Sequence, residues 1–179
     1  MGAHLITTAR EKGRLAPLKF EHAGLRTTRL QPMVDWYAKV LQAEVAFENE
    51  MLAFLWYDEQ NHRLVIIARP GTVERPPNSA GLDHLAFTYA DLGELVSTYE
   101  RLKGLGITPH RATDHGSSTS FYYLDPDGNQ VELKVDTFAT AEEQHAYLRS
   151  EAFIRNPMGQ PLDPETLAAR VRARADAER

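Results

Sequence analysis

Of the seven histidines in the chain, His22 and His84 recur in matching surroundings. Each closes a similar triplet, Phe20-Glu21-His22 and Leu82-Asp83-His84, and a tyrosine follows each by fifteen residues, Tyr37 and Tyr99. A carboxylate completes the set. In the run from Gln130 to Val135, Glu132 alternates with Val131, Leu133 and Val135. Alternate side chains of a strand share a face, so the apolar residues must turn to the core and Glu132 to the opposite, more polar face. By the same rule His22 shares a face with Phe20 and Gly24, and His84 with Leu82 and Ala86. If the two segments pair, two neutral imidazoles and one carboxylate meet in one cleft. That is the donor set of non-haem Fe(II) sites with open positions for substrate and oxygen, and Mn(II) accepts it too. From spacing alone a blander reading stands level with it: two satisfied core histidines and a glutamate on a solvated face.

The elements that must position these residues read as a repeat. A first helix is expected from about Arg29 to Gln42, capped by Thr27 or Thr28, with Pro32 in its first turn and a stripe of Val34, Tyr37, Ala38 and Leu41. A second is expected from about Leu92 to Leu105, with Asp91 and Glu94 as a capping pair, Leu95, Tyr99 and Leu102 as the stripe, and Gly106 as the stop. Strands are expected after the first helix at Val45–Phe47, Leu52–Tyr57 and Arg63–Ala68, with Asp58-Glu59-Gln60-Asn61 as a turn. After the second they are expected at Thr108–Arg111, Ser120–Leu124 and Gln130–Val135, with Asp125-Pro126-Asp127-Gly128 as a strong turn. Each unit is therefore β-α-β-β-β and the fold class is α+β, the units forming a curved mixed sheet around the cleft. Residues 18–70 and 81–136 hold the units, joined by a Pro/Gly-rich linker, so that one domain spans 18–136. Residues 1–17 read as an arm and 137–179 as a helical extension. In the extension Asp163-Pro164-Glu165 starts a helix whose narrow stripe, Leu167 and Val171, suits packing on the body or on a neighbouring subunit. Phe153 to Gly159 reads as an apolar loop.

Composition narrows the field. The net charge of −5 and the lack of a basic stripe argue against a nucleic-acid partner. The absence of cysteine excludes a disulfide scaffold, thiolate-held zinc or iron–sulfur, and a catalytic thiol. The central apolar run, Leu64 to Ala68, is far short of the ~20 residues that span a bilayer. With no signal-peptide core at its start, the chain is expected to be cytoplasmic, without a membrane partner. Trp36 and Trp56 are expected in the core, His110 at a strand or loop edge, and His4 and His145 on the surface; Arg170, Arg172 and Arg174 read as a solvated helix face.

A longer pattern surrounds Glu132. Thr113-Asp114-His115 is followed after five residues by Phe121-Tyr122, after two more by Asp125-Pro126-Asp127-Gly128, and after three more by Glu132. This resembles the signature of type I extradiol ring-cleavage dioxygenases, in the vicinal oxygen chelate superfamily that also holds glyoxalase I and the bleomycin-resistance proteins. The resemblance covers about residues 18–136, and the paired units look like that superfamily's fold. It implies Fe(II), or Mn(II), held by His22, His84 and Glu132, and cleavage of a catechol by O2 beside its two hydroxyls. It implies His115 and Tyr122 as groups that hydrogen-bond the substrate and assist proton transfer. It also implies His62, in Asn61-His62-Arg63-Leu64, as the residue that assists O2 and supplies a proton. Two-unit members often form dimers, so the resemblance implies a homo-oligomer. Two rivals remain. Glyoxalase-like isomerases or lyases use a fourth ligand, a carboxylate on the last strand of the first unit; Leu64-Val65-Ile66-Ile67-Ala68 offers none, and Glu74 lies beyond the Pro70-Gly71 break. A resistance-type binding protein needs no metal, which leaves the triad unexplained.

Overall fold

The computed structural model describes residues 6–76 and 78–177. It is α+β, with two sheets flanked by helices, and its elements repeat. β1 (Ala23–Arg26), α1 (Leu30–Leu41), β2 (Glu44–Glu48), β3 (Leu52–Trp56) and β4 (Leu64–Ile67) make the first β-α-β-β-β set. β5 (His84–Thr88), α2 (Leu92–Gly104), β6 (Arg111–Asp114), β7 (Ser118–Leu124) and β8 (Gln130–Asp136) make the second. α3 (Ala141–Leu148), α4 (Glu151–Arg155), β9 (Gln160–Pro161) and α5 (Pro164–Ala177) follow. Among the described residues no helix is long and apolar enough to cross a membrane. The chain divides into two compact units.

One unit takes residues 15–83 with the turn segment 124–130. Its sheet runs β1-β4-β3-β2, with β1 parallel to β4 and the other pairs antiparallel. α1 covers this sheet with Met33, Val34, Tyr37 and Val40, all buried. The buried face is thus turned from the expected stripe, and Ala38 and Leu41 lie at its rim. No side chain caps α1; Thr27 accepts the Arg29 N–H instead, two residues too early to serve as the cap. Trp36 is half-buried, edge-on to Tyr37, and Trp56 is 37% exposed, so neither lies in the core. β1 begins at Ala23 because the carbonyls of Phe20 and Glu21 are taken by the Arg63 guanidinium, at 2.9 and 3.3 Å, rather than by a ladder partner.

The other unit takes residues 6–14, 84–123 and 131–177. Its sheet keeps the equivalent order, β5-β8-β7-β6, and adds β9 beyond β6. α2 starts where Asp91 accepts the Glu94 N–H, and Gly106 (φ +77°) ends it in a left-handed turn that only glycine adopts without strain. β6 lies three residues later than the spacing suggested. Pro109 has no N–H to give to a ladder, so pairing starts beyond it. In the extension Phe153-Ile154-Arg155 is helical, within α4, rather than loop. α5 starts at Pro164 with the Asp163 carboxylate accepting the Glu165 and Thr166 N–H groups. It packs on α2, burying Leu167 and Ala168, and is tied there by Glu165 to Lys103 and Tyr99 and by Arg172 to Glu100.

Candidate functional site

β8 alternates as its sequence dictates. Val131 and Leu133 are fully buried on one face, and Glu132 points to the other. That face is not open: Glu132 is only 6% exposed, enclosed by neighbours that use both of its oxygens. Tyr122 on β7 donates its hydroxyl to Oε1 at 3.0 Å, and Nε2 of His84, the first residue of β5, lies 3.1 Å from Oε2. His115, between β6 and β7, places its Nε2 2.8 Å from the Tyr122 oxygen. The Tyr122 proton goes to Glu132, so His115 must donate through Nε2–H, and its Nδ1 is the lone-pair atom of the neutral ring. The result is a continuous chain His115–Tyr122–Glu132–His84 across three strands and a loop.

Electrostatics fix the protonation of two members of this chain, His115 and Tyr122. Burial lowers the His115 pKa, the Glu132 charge opposing it only in part, so the ring is neutral at pH 7. Burial and then the adjacent Glu132 charge push the Tyr122 hydroxyl up to about 12, so it keeps its proton. Arg111 supplies a nearby positive charge: its guanidinium carbon sits 3.8 Å over the Tyr122 ring centre, and its Nε is buried without a hydrogen-bond partner. Spacing did not reveal Arg111. It faces Tyr122 directly in the β6–β7 register, a relation hidden while β6 was read as ending at that residue.

In the other unit His22 lies one residue before β1 and is exposed. Its Nδ1 is 3.1 Å from Nε2 of His62, whose ring also packs on Phe54 with centroids 4.9 Å apart. With Nδ1 engaged, His22 keeps Nε2 for another partner. Arg63 steadies this corner, for Asp58 accepts its Nε at 2.9 Å while its Nη1 holds the chain entering His22. His110 precedes β6 and is exposed, with its N–H given to the Tyr122 carbonyl; His145 is exposed on α3. His4 lies outside the described residues.

The six candidates thus stand in two groups, His22 with His62 in one unit, and His84, Glu132, Tyr122 and His115 in the other. Among the described residues no three His, Asp or Glu side chains form one cluster able to hold a metal ion. The donor chemistry nonetheless fits Fe(II) or Mn(II), which take imidazole and carboxylate together. His84 Nε2 and Glu132 Oε2 lie 3.1 Å apart and would supply two of such an ion's donors, with the carboxylate's other oxygen fixed by Tyr122.

Known proteins resemble this chain over most of its length. Residues 19–133 match the family model of the Glyoxalase/Bleomycin resistance protein/Dioxygenase superfamily. The chain is 41% identical over 162 residues to biphenyl-2,3-diol 1,2-dioxygenase 2 of Rhodococcus globerulus, covering 90% of this chain and 85% of that protein. It is 41% identical over 157 residues to biphenyl-2,3-diol 1,2-dioxygenase 3 of the same organism, covering 87% and 83%. Among solved structures, lactoylglutathione lyase from Agrobacterium tumefaciens aligns with a TM-score of 0.55 and 23% identity, over 66% of this chain and 94% of that one, a likeness of fold alone.

Proposed function

The chain belongs to the Glyoxalase/Bleomycin resistance protein/Dioxygenase superfamily, and from that premise we propose that it is an extradiol dioxygenase which opens a catechol ring with O2. The reading assigns Fe(II), replaceable by Mn(II), to His22, His84 and Glu132. It assigns substrate contact and proton transfer to His115 and Tyr122, and a proton-supplying role to His62. Biphenyl-2,3-diol, the substrate in the relatives' names, is the first catechol to try. A homodimer is the working expectation for the assembly.

One observation carries the reading. The chain His115–Tyr122–Glu132–His84 couples a neutral base, through a phenol that stays protonated, to the buried Glu132 and the half-buried His84. When bound, the metal supplies the charge that acidifies a catechol hydroxyl and the redox link between substrate and O2. The protein does the rest. Tyr122 holds Glu132 Oε1 by its hydrogen bond, which fixes the rotation of the carboxylate and leaves Oε2 on the His84 side. With the metal bound, His84 would serve as a ligand through Nε2 and carry its proton on Nδ1, in place of the Nε2–H that otherwise bonds Glu132. Neutral His115 accepts a proton at Nδ1 from a substrate hydroxyl, and its Nε2–H stays on Tyr122. Near-complete burial of Glu132 and Tyr122 keeps bulk water from competing for these bonds.

The test is to load the protein with Fe(II) without air and to follow O2 consumption and absorbance on adding catechols. Uptake of one O2 per catechol with a yellow ring-opened product supports the reading. Firm iron binding with no uptake across the panel refutes the activity. His22→Ala, His84→Ala and Glu132→Ala should each lose iron; a variant that kept full iron and turnover would remove that residue from the ligand set.

A further inference from the structure

We propose that the C-terminal extension positions His115, with Tyr147 and Gly159 as the positioning residues that lock the loop between β6 and β7. The proposal rests on the reading of His115 as a substrate-facing base.

The loop is short and has little of its own to hold it. The His115 N–H bonds the Ser118 carbonyl at 2.9 Å, and the Asp114 carboxylate accepts the Gly116 N–H at 2.8 Å. The other restraints come from the extension. β9 pairs with β6 at Asp114–Gln160 and Thr113–Pro161, immediately before His115, and the Leu162 N–H bonds the Ala112 carbonyl at 3.1 Å. The Ser117 carbonyl accepts from the Thr137 N–H at 2.9 Å and from the Gln144 side chain at 3.3 Å. Tyr147 donates its hydroxyl to the carbonyl of His115 itself, at 3.4 Å.

Two glycines show how closely the parts fit. Gly116 has φ +72°, and a Cβ there would stand 1.9 Å from the Tyr147 hydroxyl, so the hydroxyl occupies the space a side chain would need. Gly159 has φ +78°, and a Cβ there would stand 2.4 Å from the Asp114 carbonyl oxygen and 2.8 Å from the His115 Cα. The Tyr147 ring is held in turn by Phe138 and Phe153, with centroids 5.3 and 5.9 Å away. Contacts from the extension therefore hold the loop on both sides of His115, at Thr113 and Asp114 before it and at Gly116 and Ser117 after it, and two of them, from Tyr147 and from Gly159 just ahead of β9, reach the backbone of the residue whose imidazole meets Tyr122. Removing them leaves the metal ligands untouched and lets the imidazole wander. A displacement of about 1 Å at a reacting group costs up to a hundredfold in rate.

The experiment pairs a cycle of variants with a spectroscopic readout. Tyr147→Ala and the gentler Tyr147→Phe are made in the wild-type and His115→Ala backgrounds, with Arg172→Ala as a control that loosens α5 elsewhere. In the wild-type background Tyr147→Ala should lower kcat about tenfold with iron content unchanged; with His115→Ala it should lower it less than about twofold. The ring 15N signals of His115, read by NMR on the metal-free protein, should shift in both Tyr147 variants and stay put in Arg172→Ala. Equal losses in the two backgrounds overturn the proposal, since Tyr147 would then act on stability or elsewhere in the site. Unmoved His115 signals overturn it as well, and do so even if no catechol is consumed by the wild type, an outcome that counts against the dioxygenase reading alone.

Discussion

Replacing Tyr37 by Phe removes one oxygen from the middle of a unit. Tyr37 is fully buried on α1 and donates to Oδ2 of Asp125 at 3.0 Å, joining the helix to the Asp125-Pro126-Asp127-Gly128 turn. The phenylalanine ring fills the same space, so the loss is one hydrogen bond to a charged acceptor, about 1.5–3 kcal/mol. Asp125 is not orphaned, because Oδ2 still accepts from the Asn129 side chain at 2.9 Å, and Oδ1 from the Asp127 and Asn129 N–H groups. The lower part of that range, about 1.5–2 kcal/mol at pH 7, is therefore expected. The effect must also depend on pH. Burial raises the Asp125 pKa in the fold, and the hydrogen bonds, Tyr37's among them, hold it down. A carboxyl with a raised folded pKa loses stability as pH climbs from its unfolded value, about 3.9, through its folded one. Without Tyr37 the folded value rises further, so the variant's deficit grows as pH climbs from the wild-type folded value to the variant's, both of them above about 3.9. Urea unfolding of both proteins at pH 4.0 and 7.0, with equal m-values, measures this. A deficit that is the same at both pH values, or below about 0.5 kcal/mol at pH 7, refutes the argument.

Three further outcomes are expected. Tyr122→Phe should lower turnover at saturating Fe(II) by roughly a hundredfold, the low end for a lost proton-transfer group, and should weaken iron binding about tenfold by freeing Glu132 Oε1; iron titration beside O2 uptake separates the two. Arg63→Ala frees the Phe20 and Glu21 carbonyls and so loosens the approach to His22, and should weaken iron binding about tenfold in chelator competition, the size seen when the support of a ligand is removed. Arg111→Met keeps bulk over Tyr122 but removes the charge, and should cost about 1–2 kcal/mol in thermal unfolding for a desolvated cation–π contact; an unchanged melting curve would show that the stack contributes nothing.

Repetition made much of the architecture legible. A β-α-β-β-β unit that occurs twice constrains itself, and α2 with Asp91, Glu94, Leu95, Tyr99, Leu102 and Gly106 formed as its residues indicated. His115, Tyr122 and Glu132 were found by a pattern of types at fixed intervals, and three of the four groups in the hydrogen-bonded chain belong to it. What failed depended on partners distant in sequence. β6 began late because Pro109 cannot enter a ladder, and that misplacement hid Arg111. The α1 stripe was off because Met33 and Val40, rather than Ala38 and Leu41, face β3 and β4. Glu132 was expected on a polar face, but alternation along a strand tells which side a residue takes, not whether that side is covered. Tyr147 and Gly159 lie in a segment with little periodicity, and nothing local marks the loop they hold.

β9 also bears on how the protein behaves at high concentration. It is two residues long and ends in Pro161, which offers no N–H, so the sheet edge beyond β6 cannot template another strand. The corresponding edge of the other sheet, β2, lacks such a cover; all five of its residues are exposed, but a bulge between Val45 and Phe47 breaks its ladder. One edge is thus closed by a short stub and the other spoiled by a kink. A chain shortened before Gln160 would bare the polar backbone of Thr113 and Asp114 to pairing with another strand, together with the α2 surface that Leu167 and Ala168 cover.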